Sequence, residues 1–295
     1  MNMLDPQTLY KAEAELNIEA AFIEKDWFIA RLLSSLASWS VPEVTLIFTG
    51  GTSLSKAHRI IYRFSEDIDV RLKTDQLLSR KDRSRVRESL LTHLRDAGWI
   101  LEDVRSRNES QFIGMAILYS SVLPASSLRP FLKLDVIFNN PRRPLVTYPV
   151  SSLMADLTQS TPEVPSILCL AVEEIAAEKL SALCWRLQDE KQPDRRDLVR
   201  HLHDLACLSP KLSVDEGGFR ELVMETLEAD LAGRTDATKE QAAERIRLLP
   251  MVLAAYGPAY REYVGLMSYG QNDQAPPSFE AALEAMEALT KHLSG

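Results

Sequence analysis

The sequence predicts an α+β protein: a mixed sheet flanked by helices over residues 1–160, then an all-helical domain over residues 161–295. Three observations carry this expectation. Short apolar runs with period-two alternation recur between helical stretches in the first half. After Ile167 the apolar spacing is almost wholly helical. Between the two lies PRRPLVTYPV, where Pro141, Pro144 and Pro149 are expected to interrupt regular structure.

The elements follow in order. Residues 6–39 read as helix, with Leu16, Ala20, Ile23, Trp27 and Ala30 on one stripe, ended by Val41-Pro42. VTLIF (Val44–Phe48) reads as a short buried strand that runs into Gly50-Gly51, and SLSKAHRIIYR then reads as a helix. EDIDVRL alternates and reads as a strand. Residues 81–97 place Val86, Leu90, Leu91 and Leu94 on one helical side. Strands are expected near Trp99–Val104, Phe112–Tyr119 and Phe131–Phe138. In the second half AVEEIAAEKLSALCWRLQ and DLVRHLHDLACL read as helices, as do Gly218–Leu231, Lys239–Leu249 and Phe279–Leu293.

Composition narrows the class. The 295 residues are 45% hydrophobic and 26% charged, which excludes collagen-like, disordered and membrane classes. No run of apolar residues reaches the ~18 needed for a membrane span. Cys169, Cys184 and Cys207 form no CxxC pair, and the first residues lack the basic start and apolar stretch of a secretory signal, so a cytoplasmic location is expected. With 34 Lys+Arg against 42 Asp+Glu, any nucleic-acid partner needs a local basic patch. RKDRSRVR (Arg80–Arg87) reads either as a solvated helix start or as such a patch, extended by Arg142-Arg143 and Arg195-Arg196.

The chemistry concentrates in TGGTSLSK followed by RFSEDIDV. Gly50 and Gly51 after a strand let the backbone turn sharply and approach a ligand. Thr52 and Ser53 open a helix whose free N–H groups and hydroxyls suit an anion, and Lys56, one turn in, adds charge for a phosphate. Asp67 and Asp69 are two apart on a strand and share a face. Two such carboxylates repel unless a cation lies between them, and Mg²⁺ favours oxygen ligands and substrate phosphates. A pair of ions about 4 Å apart would activate a hydroxyl and stabilise departing pyrophosphate. In FLKLDVIF, Lys133 and Asp135 share the face opposite Leu132, Leu134 and Val136. An acid in a central strand is costly unless it lines a cleft or is paired, so Asp135 reads as a third metal ligand, as base for the hydroxyl, or as the partner of Lys133. Ser65, two residues before Asp67, either binds phosphate or shapes the strand entry, and phosphorylating it would set negative charge beside the carboxylates.

The ordered set of strand, Gly-Gly-Thr-Ser, helix, Asp-x-Asp strand and later strand Asp resembles the nucleotidyltransferase superfamily of polymerase-β type. More narrowly, GGTSLSKAHRIIYRFSEDIDV resembles the AbiEii/AbiGii toxin family, which includes the MenT toxins, over about residues 20–210. The resemblance implies a bilobal nucleotidyltransferase with an NTP substrate, Mg²⁺, and a role as toxin of a toxin–antitoxin or phage-defence pair with a cognate antitoxin. It also implies transfer of NMP to an acceptor hydroxyl at the 3′ end of tRNA. Two further family motifs are matched in the helical half, EKLSAL at Lys179 and RHLHDL at Arg200, Asp204 and Leu205. By resemblance Lys179 contacts the triphosphate and Asp204 orients that lysine or the base, although Arg196-Asp197-Leu198 fits the second motif in another register.

Two alternatives stay open: a nucleotidyltransferase that modifies a protein or a small molecule such as an aminoglycoside, and a non-catalytic nucleotide-binding module. His201 and His203, two apart on a helix, point too far apart to share a metal. No GxSxG elbow, Walker A loop or GxGxxG is present.

Overall fold

In the computed structural model, which describes residues 4–124, 128–186, 195–212, 218–231, 239–270 and 274–293, two helices open the chain. They are α1 (Pro6–Leu16) and α2 (Ala20–Ser38). The single helix expected over 6–39 is broken because Asn17 takes a left-handed conformation (φ 53°) and its N–H closes on Glu13 O. β1 (Thr45–Thr49), α3 (Gly50–Lys56), β2 (Asp67–Lys73), α4 (Arg80–Asp96), β3 (Ile100–Arg107), β4 (Phe112–Leu118) and β5 (Phe131–Phe138) follow. Helix α3 stops at Lys56, short of the expected run to Arg63, because Arg59 is left-handed at φ 54°.

Two further strands, β6 (Val146–Val150) and β7 (Val164–Cys169), flank α5 (Leu153–Leu157), where the prolines suggested no regular structure and Ile167 the start of helix. Pro149 is tolerated because β6 is the last strand of the sheet and its register slips between Tyr148 and Val150.

The seven strands form one sheet in the order β3-β4-β5-β2-β1-β7-β6. β2 runs parallel to β5 and antiparallel to β1, while β4 is antiparallel to both β5 and β3. Directly paired residues share a face. Ile68, Val70, Leu132, Leu134, Val136, Ile113 and Ile117 occupy one face and are buried. Their neighbours Asp67, Asp69, Arg71, Lys133, Asp135, Gly114 and Ala116 occupy the other.

Helix α2 carries three consecutive buried charges, and each is answered. Glu24 accepts from Ser121 Oγ at 2.6 Å and Val122 N–H at 2.7 Å; Lys25 donates to Glu66 at 2.5 Å and Arg129 O at 3.1 Å. Asp26 accepts the Leu153 N–H at 2.6 Å and pairs with Lys56. Burial raises the Asp26 carboxyl above its ordinary range, and Lys56 offsets only part of that.

The chain divides into two compact units, Met1–Arg59 with Phe64–Leu170, and Ile60–Arg63 with Ala171–Gly295. The expected division at 160/161 lies instead at 170/171, since β7 pairs into the sheet. The second unit contains α6 (Val172–Arg186), α7 (Arg195–Leu208), α8 (Gly218–Leu231), α9 (Lys239–Leu253), α10 (Gly257–Met267) and α11 (Phe279–Leu293). Residues 187–188, expected to extend α6, lie outside the described residues. α6 packs on α7 and α8, and α11 on α7 and α9. The short segment Ile60–Arg63 joins this unit through a bridge between Arg63 and Ser268 and the Tyr269 N–H to Tyr62 O bond. Among the described residues no helix is long and apolar enough to cross a membrane.

The Lys56–Asp26 pair has a testable consequence. Lys56→Met leaves Asp26 buried without its cation and is expected to cost about 3–5 kcal/mol. Asp26→Asn/Lys56→Met, which keeps an acceptor for the Leu153 N–H, should recover most of that loss in urea unfolding. A Lys56→Met protein with unchanged stability would refute the structural role.

Candidate active site

β2 and β5 bring the strand carboxylates together. The register pairs Asp69 with Asp135 and Asp67 with Lys133, so all four side chains share one face. An Asp135 on the opposite face would have separated the acids by the thickness of the sheet, and the register excludes that. The carboxylates are half-buried, and the Asp135 side chain is 18% exposed.

Gly50 creates the space for Asp69. It is left-handed (φ 76°), and a Cβ there would stand 2.1 Å from Asp69 Oδ2 and 2.8 Å from its Cγ. Any larger residue would both strain the turn and expel the carboxylate. Gly114, paired with Asp135, leaves close space on the other flank, where a Cβ would lie 3.2 Å from Asp135 Oδ1 and 3.1 Å from the Phe112 ring.

Lys133 Nζ donates to Asp135 Oδ2 at 2.6 Å. Burial disfavours its charge, but Asp135, Asp67 and Asp69 together outweigh this and raise its pKa. The ammonium therefore interacts with the whole acidic group. Asp135 Oδ1 is buried with no hydrogen-bond partner. Buried carboxylate oxygens are normally satisfied, so this one stands out on the acidic face.

The helix start differs from its sequence-level expectation. Thr52 Oγ1 bonds to Asp67 O and lies 2.9 Å from Ser65 Oγ, which ties α3 to the entry of β2. Ser53 Oγ donates back to Gly50 O at 2.9 Å. Both hydroxyls are engaged internally, so neither is the free anion donor expected from the sequence. Lys56, expected beside phosphate, is the buried partner of Asp26.

Lys179 and Asp204 belong to the second unit and meet there. Lys179 Nζ donates to Asp204 Oδ2 at 2.7 Å. Arg63 grips the same carboxylate with two bonds, Nε to Oδ1 at 2.7 Å and Nη2 to Oδ2 at 2.6 Å, and His203 Nδ1 lies 3.3 Å from Oδ1. All are buried. Burial alone would raise the Asp204 carboxyl, but Arg63 and Lys179 hold it well below the usual range. Burial, with Arg63 nearby, lowers the Lys179 ammonium. His201 is held neutral by burial and by the charges of Lys179, Arg186 and Arg200, and it contacts Arg186. The alternative motif residue Asp197 pairs with Arg200 and Arg186 and is partly exposed, so Asp204 is the acid tied to Lys179.

Sequence reasoning missed Arg63 and Asp26. Arg63 ends the run SLSKAHRIIYR that reads as helix, and nothing local marks either residue as the partner of a distant charge. The basic run is also less free than it reads. Arg83 bonds to Leu78 O at 2.6 Å and Glu109 O at 3.1 Å; Arg85 pairs with Glu43 at 2.6 Å; Arg87 pairs with Glu88. The solvated helix start is the better description.

A family model described as "Nucleotidyl transferase AbiEii toxin, Type IV TA system" matches residues 31–285. The chain belongs to this family of type IV toxin–antitoxin nucleotidyltransferases. Among solved structures it is similar to MenT4, a nucleotidyltransferase toxin from Mycobacterium tuberculosis H37Rv, at 16% identity and a TM-score of 0.62, over 97% of this chain and 89% of that one. At that identity the likeness is one of fold. No curated protein matches the chain by sequence.

Asp204 supplies the pH test. Its depressed pKa contributes stability that is fully present above the unfolded value of about 3.9 and is lost as pH falls through the folded one. Wild type should exceed Asp204→Asn in thermal stability at neutral pH, and the gap should shrink in melts recorded progressively below about pH 4. A gap that persists undiminished into strong acid would contradict the charge-based account.

Proposed function

We propose that this AbiEii nucleotidyltransferase transfers NMP from an NTP to the 3′-hydroxyl of tRNA, with Mg²⁺ held by Asp67, Asp69 and Asp135. The observation that carries the catalytic part is the shared face of the three acids, with Asp135 Oδ1 buried and unpartnered beside Gly114.

The residues fit the metal in a particular way. Among the described residues no three acidic, His or Cys side chains close into a cage by themselves. Mg²⁺ does not require one, since it is held by one or two carboxylates with substrate phosphates and waters completing the shell. The Lys133–Asp135 ion pair supports this reading, since one positive charge already lies against the acidic face. When bound, the ion supplies positive charge that offsets the charge developing on the phosphates.

The chain's own residues then divide the work. The Gly50-Gly51 turn lets phosphate oxygens approach the backbone N–H groups of α3. Ser65, joined to Thr52 at the entry of β2, shapes that approach. The acceptor oxygen attacks the α-phosphorus and forms a new P–O bond. The bond to the oxygen bridging α and β breaks, and pyrophosphate leaves. Asp135 Oδ1, which spends no hydrogen bond elsewhere, takes the hydroxyl proton. The family resemblance assigns the triphosphate to Lys179, which Asp204 holds, and Arg63 keeps Asp204 ionised. The toxin role implies an antitoxin partner, and nucleotides added to the acceptor end of tRNA would block translation.

The decisive assay incubates the protein with each labelled NTP and Mg²⁺ in the presence of total tRNA, a protein fraction, or an aminoglycoside. Label should enter tRNA, and Asp67→Ala, Asp69→Ala and Lys179→Ala should each lower incorporation by about 100-fold or more. Label confined to protein or aminoglycoside would replace the tRNA reading, and no transfer from any NTP would remove it. Ser65→Asp, which sets a negative charge beside Asp67, should reduce incorporation at least tenfold; full activity would leave Ser65 a purely local role.

A further inference from the structure

The carboxylate face continues past Asp135 toward the sheet edge, where a bulge alters its chemistry. Between β3 and β4 the register pairs Glu102 with Ala116 and then Arg105 with Gly114, so β3 has one extra residue there. Asp103, left-handed at φ 48°, lies in that bulge. Strict alternation from Glu102 would have put Val104 and Ser106 on the carboxylate face. The extra residue instead puts Arg105 opposite Gly114 and Arg107 opposite Phe112.

One row therefore runs across four strands: Asp69, Asp135, Gly114, Arg105. The next row contains Arg71, Ile137, Phe112 and Arg107. Between acids and arginines β4 offers small side chains, Gly114 and Ala116, bordered by the Phe112 ring. That ring lies within 3.1 Å of the Cβ position above Gly114, and Asp135 Oδ1 lies 3.2 Å from the same point. Both arginines are exposed. Among the described residues Arg105 makes a loose contact with Asp103 at 3.7 Å, with both side chains in solvent, and such a pair is weak enough to be exchanged for a phosphate.

An aromatic ring beside a reacting carboxylate, a floor of small residues and two exposed guanidinium groups beyond it match single-stranded nucleic acid. A base stacks on the ring, and the phosphates upstream meet the positive charge. In a chain of net charge −8 this placement opposes the overall field, so it acts as a local attractor.

We propose that the β3–β4 edge of this face is the platform for the acceptor strand: Phe112 stacks the 3′-terminal base of a single-stranded RNA end, and Arg105 and Arg107 bind the phosphates that precede it. The inference rests on the tRNA nucleotidyltransferase reading and specifies where its acceptor lies. The terminal hydroxyl is then delivered to Asp135, and the bulge is what turns the arginines toward it.

The test uses the full-length protein, a labelled NTP with Mg²⁺, and a short single-stranded RNA oligonucleotide with a free 3′-hydroxyl. Steady-state transfer and fluorescence-anisotropy binding are measured for wild type, Arg105→Glu/Arg107→Glu, Phe112→Leu and Phe112→Trp. The arginine variant should raise the KM for RNA at least tenfold and flatten the salt dependence of RNA binding, by about 0.7 in log–log slope per lost phosphate contact. Phe112→Leu should weaken RNA binding roughly tenfold while Phe112→Trp preserves it. The KM for NTP should stay within about twofold in all, a split that general misfolding would not produce. Unchanged RNA affinity and salt slope in an RNA-active enzyme would overturn the platform alone. A wild type that transfers nucleotides to no RNA would instead remove the reading beneath it.

Discussion

Asp69 and Asp135 stand opposite each other on neighbouring parallel strands, and two carboxylates at that spacing repel. Much of the first unit is arranged around this repulsion. Gly50 gives up its side chain and takes a left-handed turn so that Asp69 fits against the backbone; Gly114, in regular strand conformation, leaves close space beside Asp135. Lys133 neutralises part of the charge from the same face. The opposite face is fully apolar and buried, so β2 and β5 cannot slip by one residue to relieve the strain without burying the acids in the core. The hydrophobic face holds this arrangement in place, and Lys133 offsets part of the repulsion.

The second unit solves a related problem with a different geometry. Asp204 is completely buried, and its ionised form survives because a guanidinium fork and an ammonium share it. The fork comes from Arg63, which belongs to this unit although it precedes Asp67 by only four residues in the chain. The segment that leads into the carboxylate strand is thus fastened by the same ion cluster that orients Lys179.

Belonging to the AbiEii family assigns nucleotidyl transfer to the chain, and the physical features divide that chemistry among residues. The acids share one face of the sheet, and the glycine turn leaves room for Asp69. The bulged edge strand presents arginines that strict alternation would have pointed the other way. Basic residues matter by their freedom and placement rather than their number. The arginine-rich start of α4 is largely tied to local acids and carbonyls, whereas two arginines in β3 lie on the carboxylate side of the sheet.

Local periodicity determined much of this protein directly. Alternation in EDIDVRL and FLKLDVIF told which residues share a face, because the pleat has a period of two wherever a strand is regular. Gly50 was legible as a special backbone position because few other residues tolerate its conformation. What tertiary structure decided was everything that needs a distant partner or an irregularity. Lys56 reads as a phosphate ligand until α2 brings Asp26 to it, and Arg63 reads as a helix residue until Asp204 claims it. Pro149 looks like a breaker but lies in a strand, since an edge position does not require its missing N–H. The direction of Arg105 and Arg107 depends on one extra residue in a ladder, a count that exists only when β4 is beside β3. Sequence records the period of an element, while pairing decides its register, and charge neutralisation over long chain separations is settled only by register and packing.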